Sequence, residues 1–311
     1  MIIVDAHCDT ITTIMETNEQ LRENNCHIDL SRLKQYDSFV QFFAAFISPK
    51  HAKMGALCRA IDIIDRLYRE IEVNKNDIMI CRNYNDIMKA TQRKKVAAVL
   101  TIEGGDALEG SISALRMLYE LGVRAITLTW NHRNQIADGV ADASTGGGLT
   151  PFGKEVVKEM NRLGMLVDVS HLSETGFWDV INTTTTTIIA SHSNSKKICD
   201  HRRNLTDEQL LALKKNGGVT GINLCPEFIY SEGKATMKHV LGHIEHIVAL
   251  TGEDTLGLGA DYDGIDETPQ GLEGVQCIND LLNELLKLNY SETLVNKIAG
   301  ENFLRVIKGV L

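Results

Sequence analysis

The chain has little of what stiffens or cross-links a small fold. It has four prolines in 311 residues, and no Pro-, Gly- or Ser-rich stretch marks a linker. Its seven cysteines (Cys8, Cys26, Cys58, Cys81, Cys199, Cys225 and Cys277) are odd in number and contain no Cys-x-x-Cys pair. That pattern excludes a disulfide framework and reads as reduced thiols, so a cytoplasmic protein is expected. No apolar run reaches the roughly 20 residues of a bilayer crossing. Met1 leads directly into a strand-like run instead of a leader, and the last residues are too short for an anchor signal, so no membrane attachment is expected. Basic charge is also scarce. Lys and Arg total 32 against 41 Asp and Glu, for a net charge of −9, which argues against a nucleic-acid partner. Bound divalent metal would offset part of that charge.

What is present is an alternation. Eight short apolar runs recur: Ile2–Ala6, Val40–Ile47, Val96–Ile102, Ala125–Trp130, Met165–Val169, Thr187–Ser191, Val219–Leu224 and Leu256–Ala260. Segments of helical period separate most of them, such as Ala52–Glu72, Phe152–Leu163 and Met237–Thr251. The stretch Ile11–Ser38 has a poor helical pattern and reads as a polar loop, and the chain ends in a helix over Ser291–Ile298 followed by a short segment. Strands alternating with helices imply parallel pairing and right-handed crossovers. Eight of them fit a (β/α)8 TIM barrel, an amidohydrolase-like metal-dependent hydrolase, as a single domain over residues 1–311. In such a barrel the chemistry gathers at the C-terminal ends of the strands.

Five of the eight runs end in residues that bind metal. The first ends Asp5-Ala6-His7-Cys8-Asp9-Thr10, where His7 and Asp9, two apart, would project together and Cys8 away. Glu103 closes the third run, His171 follows the fifth, His192 the sixth and Asp261 the eighth. Each alone has a bland explanation: Glu103 could cap a helix, Asp261 could stabilise a turn with Gly264, and a lone His at a strand end is usually a loop residue. Their coincidence at one mouth favours a site. Three histidines and three carboxylates suffice for two metal ions, with Glu103 able to bridge them. Such a site would hold a nucleophilic water or hydroxide, with Asp261 as the proton acceptor. Asp168 reads as a wall residue or as one that orients a neighbour. His239, His243 and His246 share one face of a helix, lack the HExxH pattern, and read as packing or surface residues. The cluster Lys196, Lys197, His201, Arg202, Arg203 is mostly a solvated face, yet it follows His192, and Arg202 or Arg203 could hold a substrate carboxylate.

Taken together, the motifs resemble the membrane (renal) dipeptidase family and its bacterial relatives. The resemblance runs over most of the chain. It rests on the opening Asp5–Thr10 motif, Ile102-Glu103-Gly104, Gly148–Gly153, the long run Met160–His171, Ser191-His192-Ser193-Asn194, Arg202-Arg203-Asn204 and Gly259–Gly264. It implies a barrel with two Zn2+ ions, other divalent metals being compatible, that hydrolyses free dipeptides by a metal-bridging hydroxide. Some members accept a C-terminal D-residue. By this resemblance His7 and Asp9 bind one zinc, Glu103 bridges, His171 and His192 bind the other, Asp261 is the acid/base near substrate, and Arg203 binds the substrate carboxylate. A homodimer is a family expectation. One departure stands out. Where members place a His after Leu-Thr in the fourth strand, this chain reads Leu128-Thr129-Trp130-Asn131-His132. Asn131 or His132 would then supply the oxyanion contact, or the substrate sits differently. Two other readings remain: a barrel amidohydrolase acting on another amide, lactam or ester, and a binding homologue that has lost catalysis.

Overall fold

The computed structural model describes residues 1–311. Nine parallel strands form one sheet: β1 (Ile3–Cys8), β2 (Phe39–Phe46), β3 (Ile78–Ile80), β4 (Val96–Glu103), β5 (Val123–Thr127), β6 (Leu166–Asp168), β7 (Ile189–Ala190), β8 (Val219–Ile222) and β9 (Leu256–Leu258). Direct pairing of β2 with β4, from Val40↔Ala97 to Phe46↔Glu103, closes eight of them into a ring. The (β/α)8 barrel read from the eight apolar runs is therefore the fold. The ninth strand, β3, is a short addition against the first residues of β4. Its three apolar residues are too few to stand out in the sequence.

Side chains alternate across each strand. Along β4, Ala97, Val99, Thr101 and Glu103 face the barrel axis, while Ala98, Leu100 and Ile102 join the outer core beneath the helices. The inner cluster draws Val4, Val40, Val99, Ala125, Leu166, Ile189 and Val219 from seven strands, and so fills the barrel. Its floor comes from the chain end. Helix Asn302–Val310 packs Phe303, Leu304, Val306 and Ile307 onto the same cluster. Gly257 leaves room for this stopper, since a Cβ there would lie 2.5 Å from the Phe303 ring. The terminal segment is thus a regular amphipathic helix that shuts the end of the barrel away from the mouth.

Two other segments differ from the sequence expectation. Ile11–Ser38 contains helices Thr10–Thr17 and Leu30–Leu33 within irregular chain. The first lacks acidic residues in its opening turn, which removes one of the usual helix signals. Helix Tyr84–Gln92, capped by Asn83 through the Asp86 N–H, follows β3 and is short enough to escape a periodicity reading.

The histidines of helix Met237–Thr251 lie outside the barrel. His246 pairs with Asp207 at 2.7 Å, and His239 bonds at the helix start with Thr236. His243 is fully buried. Its Nδ1 accepts from the Ser195 N–H at 3.2 Å, and its Nε2–H donates to the Ile229 carbonyl at 3.1 Å. It thereby ties the loop after β7 to the short helix Pro226–Ile229. The Ser195 bond needs the neutral ring, because a protonated Nδ1 cannot accept, and burial pushes the pKa from 6.5 down to about 4. The unfolded chain therefore binds the proton first as pH falls, and stability is lost from about pH 6.5 toward 4. Between pH 7 and 5 this one group should remove about 2 kcal/mol. Chemical denaturation at both pH values should show a smaller loss in His243→Asn than in the wild type; equal losses would take His243 out of the account.

Candidate metal centre

The residues at the strand ends do meet at the mouth, and local backbone irregularities bring them there. Val4 and Ala6 face into the barrel, so a regular strand would turn His7 outward. The pairing of β1 with β2 slips between Asp5 and Cys8, where three steps on β1 match two on β2. This bulge turns His7 inward and leaves Cys8 in the outer core. Asp9 begins helix Thr10–Thr17. Glu103 is the last residue of β4. His171 and Asp261 have left-handed backbones, with φ of 67° and 62°. At His171 this turn lets the side chain join the site three residues after the inward Asp168, a spacing that an extended strand would not allow. Gly221 and Gly259 are required by close approach, since a Cβ on either would lie 2.0 Å or 1.7 Å from the Ser191 carbonyl oxygen, just before His192.

The assembled cluster is compact and buried. Glu103 Oε1 lies 2.9 Å from His171 Nε2 and 3.5 Å from His192 Nε2, while its Oε2 lies 3.5 Å from His7 Nε2. His7 Nε2 is also 3.5 Å from Asp9 and 3.7 Å from Asp261. The donor atoms of His7, Asp9 and Glu103 fall within 4.8 Å of one another, as do those of Glu103, His171 and His192, and those of His7, His192 and Asp261. Glu103 is common to the first two groups, one oxygen toward each.

The electrostatics fit a place for cations. Burial and the neighbouring Glu103 carboxylate raise Asp9 to about 7, and burial raises Asp261 to about 6. Burial pushes His171 to about 4 and His192 well below its ordinary value, so both rings are neutral donors. His7 is opposed by burial, yet Glu103 and Asp9 outweigh it and hold the ring well above its usual range. Glu103 is likewise held down, chiefly by the charge of His7, against the burial that would raise it. His7 Nε2 and Asp9 Oδ1 are buried without a hydrogen-bond partner. Orphaned donor atoms of this kind among crowded carboxylates fit a divalent ion.

The other predicted residues separate. Arg203 is buried behind His192: its Nη2 donates to the His192 carbonyl at 3.3 Å, its guanidinium stands 5.4 Å over the Phe228 ring, and its Nε has no partner. Arg202 lies in the adjoining crevice with Arg203. Asn131 borders the metal pocket and meets His171 Nδ1 at 2.8 Å. His132 is not brought to the cluster. Its side chain is 66% exposed, lies 3.6 Å from Asp142 and borders a neighbouring cavity. Trp130 is the wall between that cavity and the metal pocket, and its ring centroid lies 6.1 Å from that of His171 and 5.6 Å from that of Phe46. The metal pocket encloses about 690 Å³. Asn223 was missed in the sequence. It donates to Asp261 Oδ2 at 2.8 Å and to the His192 carbonyl at 3.3 Å. It lies inside the seventh apolar run but just past the end of β8 (Val219–Ile222), so the strand-end rule that found the others applies to it only once the strand's true end is known.

Comparison with known proteins places this geometry. The family model described as membrane dipeptidase, peptidase family M19, matches residues 1–310. The chain belongs to the membrane dipeptidase family. It is accordingly a metal-dependent dipeptidase by class. An uncharacterised dipeptidase of Schizosaccharomyces pombe is 36% identical over 303 residues, covering 91% of this chain and 72% of its own length. Among solved structures, the M19 metallopeptidase called dipeptidase AC superimposes with a TM-score of 0.93 at 26% identity, covering 100% of this chain and 98% of its own. A Rhodobacter sphaeroides metallopeptidase bound to a phosphinate mimic of the dipeptide L-Ala-D-Ala gives 0.92 at 26% identity, covering 100% and 99%. Despite the family name, no helix of this chain is long and apolar enough to cross a membrane. Because Glu103 faces both groups of donors, Glu103→Ala should lower divalent-metal affinity more than about 100-fold, beyond the usual cost of losing an outer partner. Metal analysis of the purified variant after dialysis checks this.

Proposed function

We propose that residues 1–311 form one binuclear zinc hydrolase domain that cleaves the peptide bond of free dipeptides, including those with a C-terminal D-residue. The observation that carries the reading is the sharing of Glu103 between two donor groups, His7 and Asp9 on one side, His171 and His192 on the other. The bound phosphinate in the Rhodobacter sphaeroides relative supports a small peptide of L,D configuration. Bound zinc would supply Lewis acidity and a water of lowered pKa.

The chain's own residues do the rest. Asp261, raised to about 6 by burial and held by Asn223, is set to take a proton near neutrality and pass it to the leaving amine. Arg203, a buried guanidinium with an unpartnered Nε, would hold the substrate's free carboxylate. Trp130 and Phe46 wall the pocket. Zinc is the metal we assign from the mixed His and carboxylate donor set.

Chelation should abolish dipeptide hydrolysis, and zinc should restore it with about two ions per chain. A panel of L,L, L,D and N-acylated dipeptides reads the substrate class. Cleavage confined to N-acylated compounds or lactams would overturn the dipeptide reading, and a protein that takes up no metal would overturn the mechanism. Arg203→Ala should raise KM for free dipeptides about 10- to 100-fold, the size of a lost charge-assisted hydrogen bond, with a smaller change in kcat. An unchanged KM would remove its assigned role.

A further inference from the structure

The two histidines that face Glu103 Oε1 are each held from behind by a protein oxygen. His171 Nδ1 lies 2.8 Å from Asn131 Oδ1. His192 Nδ1 lies 2.7 Å from Ser191 Oγ, and that hydroxyl lies 2.5 Å from Asp168 Oδ2. Asp168 is saturated with donors: besides Ser191 Oγ it takes the Thr127 hydroxyl at 2.6 Å, the Ser170 N–H at 3.0 Å and the Ser191 N–H at 2.9 Å.

The direction of each bond follows by counting hydrogens. Ser191 has one hydroxyl hydrogen, and it goes to the Asp168 carboxylate. Its oxygen can then only accept from the ring, so His192 carries its hydrogen on Nδ1. An amide oxygen only accepts, so His171 does the same. A neutral imidazole has one N–H, and both Nε2 atoms are left with lone pairs. The two Nε2 atoms stand 2.9 Å apart, beside Glu103 Oε1. Outer partners of this kind fix the tautomer of a ligating histidine and raise its basicity. The bonds of Asn131 and Ser191 go to His171 and His192, while the group His7–Asp9 meets these rings through Glu103 and through the His7 ring, whose centroid lies 3.9 Å from that of His192.

We propose that Asn131 and the Asp168–Ser191 pair are positioning residues that lock His171 and His192 in the Nδ1–H tautomer, and thereby set the affinity of one metal seat separately from the other. The inference deepens the two-metal reading and rests on it. It also gives the Trp130-Asn131 sequence a role of its own. Trp130 packs near the face of His171 while Asn131 holds its far nitrogen.

Zinc titration of the metal-depleted protein against a competing chelator tests it, with Asn131→Leu, Asn131→Asp and Ser191→Ala beside the wild type. Two binding steps are expected in the wild type. Asn131→Leu keeps the size and loses the acceptor; it should weaken one step about 10- to 100-fold and leave the other within about threefold, the scatter of single-site effects in distinct surroundings. Ser191→Ala should weaken that same step. Asn131→Asp can only accept, and should bind zinc like the wild type. Two results would overturn the proposal: both steps unchanged in Asn131→Leu, or Asn131→Asp as weak as Asn131→Leu, which would make the amide a donor. Long-range nitrogen–proton spectra of histidine-labelled, metal-free protein give a second readout. His171 and His192 should show hydrogen on Nδ1 in the wild type, with His171 becoming a mixture in Asn131→Leu. A wild type with fewer than two binding steps would sink the two-metal reading, whereas hydrogen on Nε2 in the spectra would sink the lock alone.

Discussion

The constraint on which the rest depends is a buried group of charges that cannot neutralise itself. Asp9, Glu103 and Asp261 lie together at the barrel mouth, each almost fully out of water. Taking ions out of water costs several kcal/mol apiece unless partners repay it. The nearby bases repay only part. His171 and His192 are held neutral, which leaves His7, held well above its usual range by Glu103 and Asp9, and Arg203 behind His192. The raised Asp9 and Asp261 carboxyls are the residue of that debt. A divalent ion would remove it, and the barrel is built to tolerate the arrangement meanwhile: eight strands fix the positions, and a bulge and two left-handed residues aim the side chains.

Much of this was legible in the sequence because the barrel makes a one-dimensional rule of a three-dimensional fact. An apolar run ending in His, Asp or Glu is easy to see, and His7, Asp9, Glu103, His171, His192 and Asp261 were all found that way. The ring itself followed from the count of runs. What stayed hidden has a physical reason in each case. The bulge in β1 carries no sequence signal, and a regular strand would have sent His7 outward against Val4 and Ala6. The small strand β3 and the helix after it fall below the length at which period is readable. His132 and Asn131 looked equivalent because they adjoin; only the fold of the loop puts one against His171 and the other in solvent.

The polar shell behind His171 and His192 makes a similar point. Asp168, Thr127, Ser170 and Ser191 are buried and mutually satisfied. Buried polar groups left unpaired would cost more than they contribute, so such networks persist only when every member is bonded. Of these only Asp168 stands out in the sequence, as a wall residue or one that orients a neighbour; Thr127, Ser170 and Ser191 are not ligand types that draw attention alone. Their significance appears only when β5, β6 and β7 are laid side by side, with Thr127 opposite Asp168 and Asp168 opposite Ile189.

The stopper helix at the chain end carries a consequence for how the molecule is made. Phe303 and its neighbours complete the floor of a barrel whose first strand begins at Ile3. β1 must also wait for β9, some 250 residues later, before its second edge is paired. Synthesis from the N-terminus therefore cannot close the ring until β9 has been made. The floor is complete only once helix Asn302–Val310 has also been made. The strand ends that carry His7, Asp9, Glu103, His171, His192 and Asp261 are drawn together only when β9 pairs with β1.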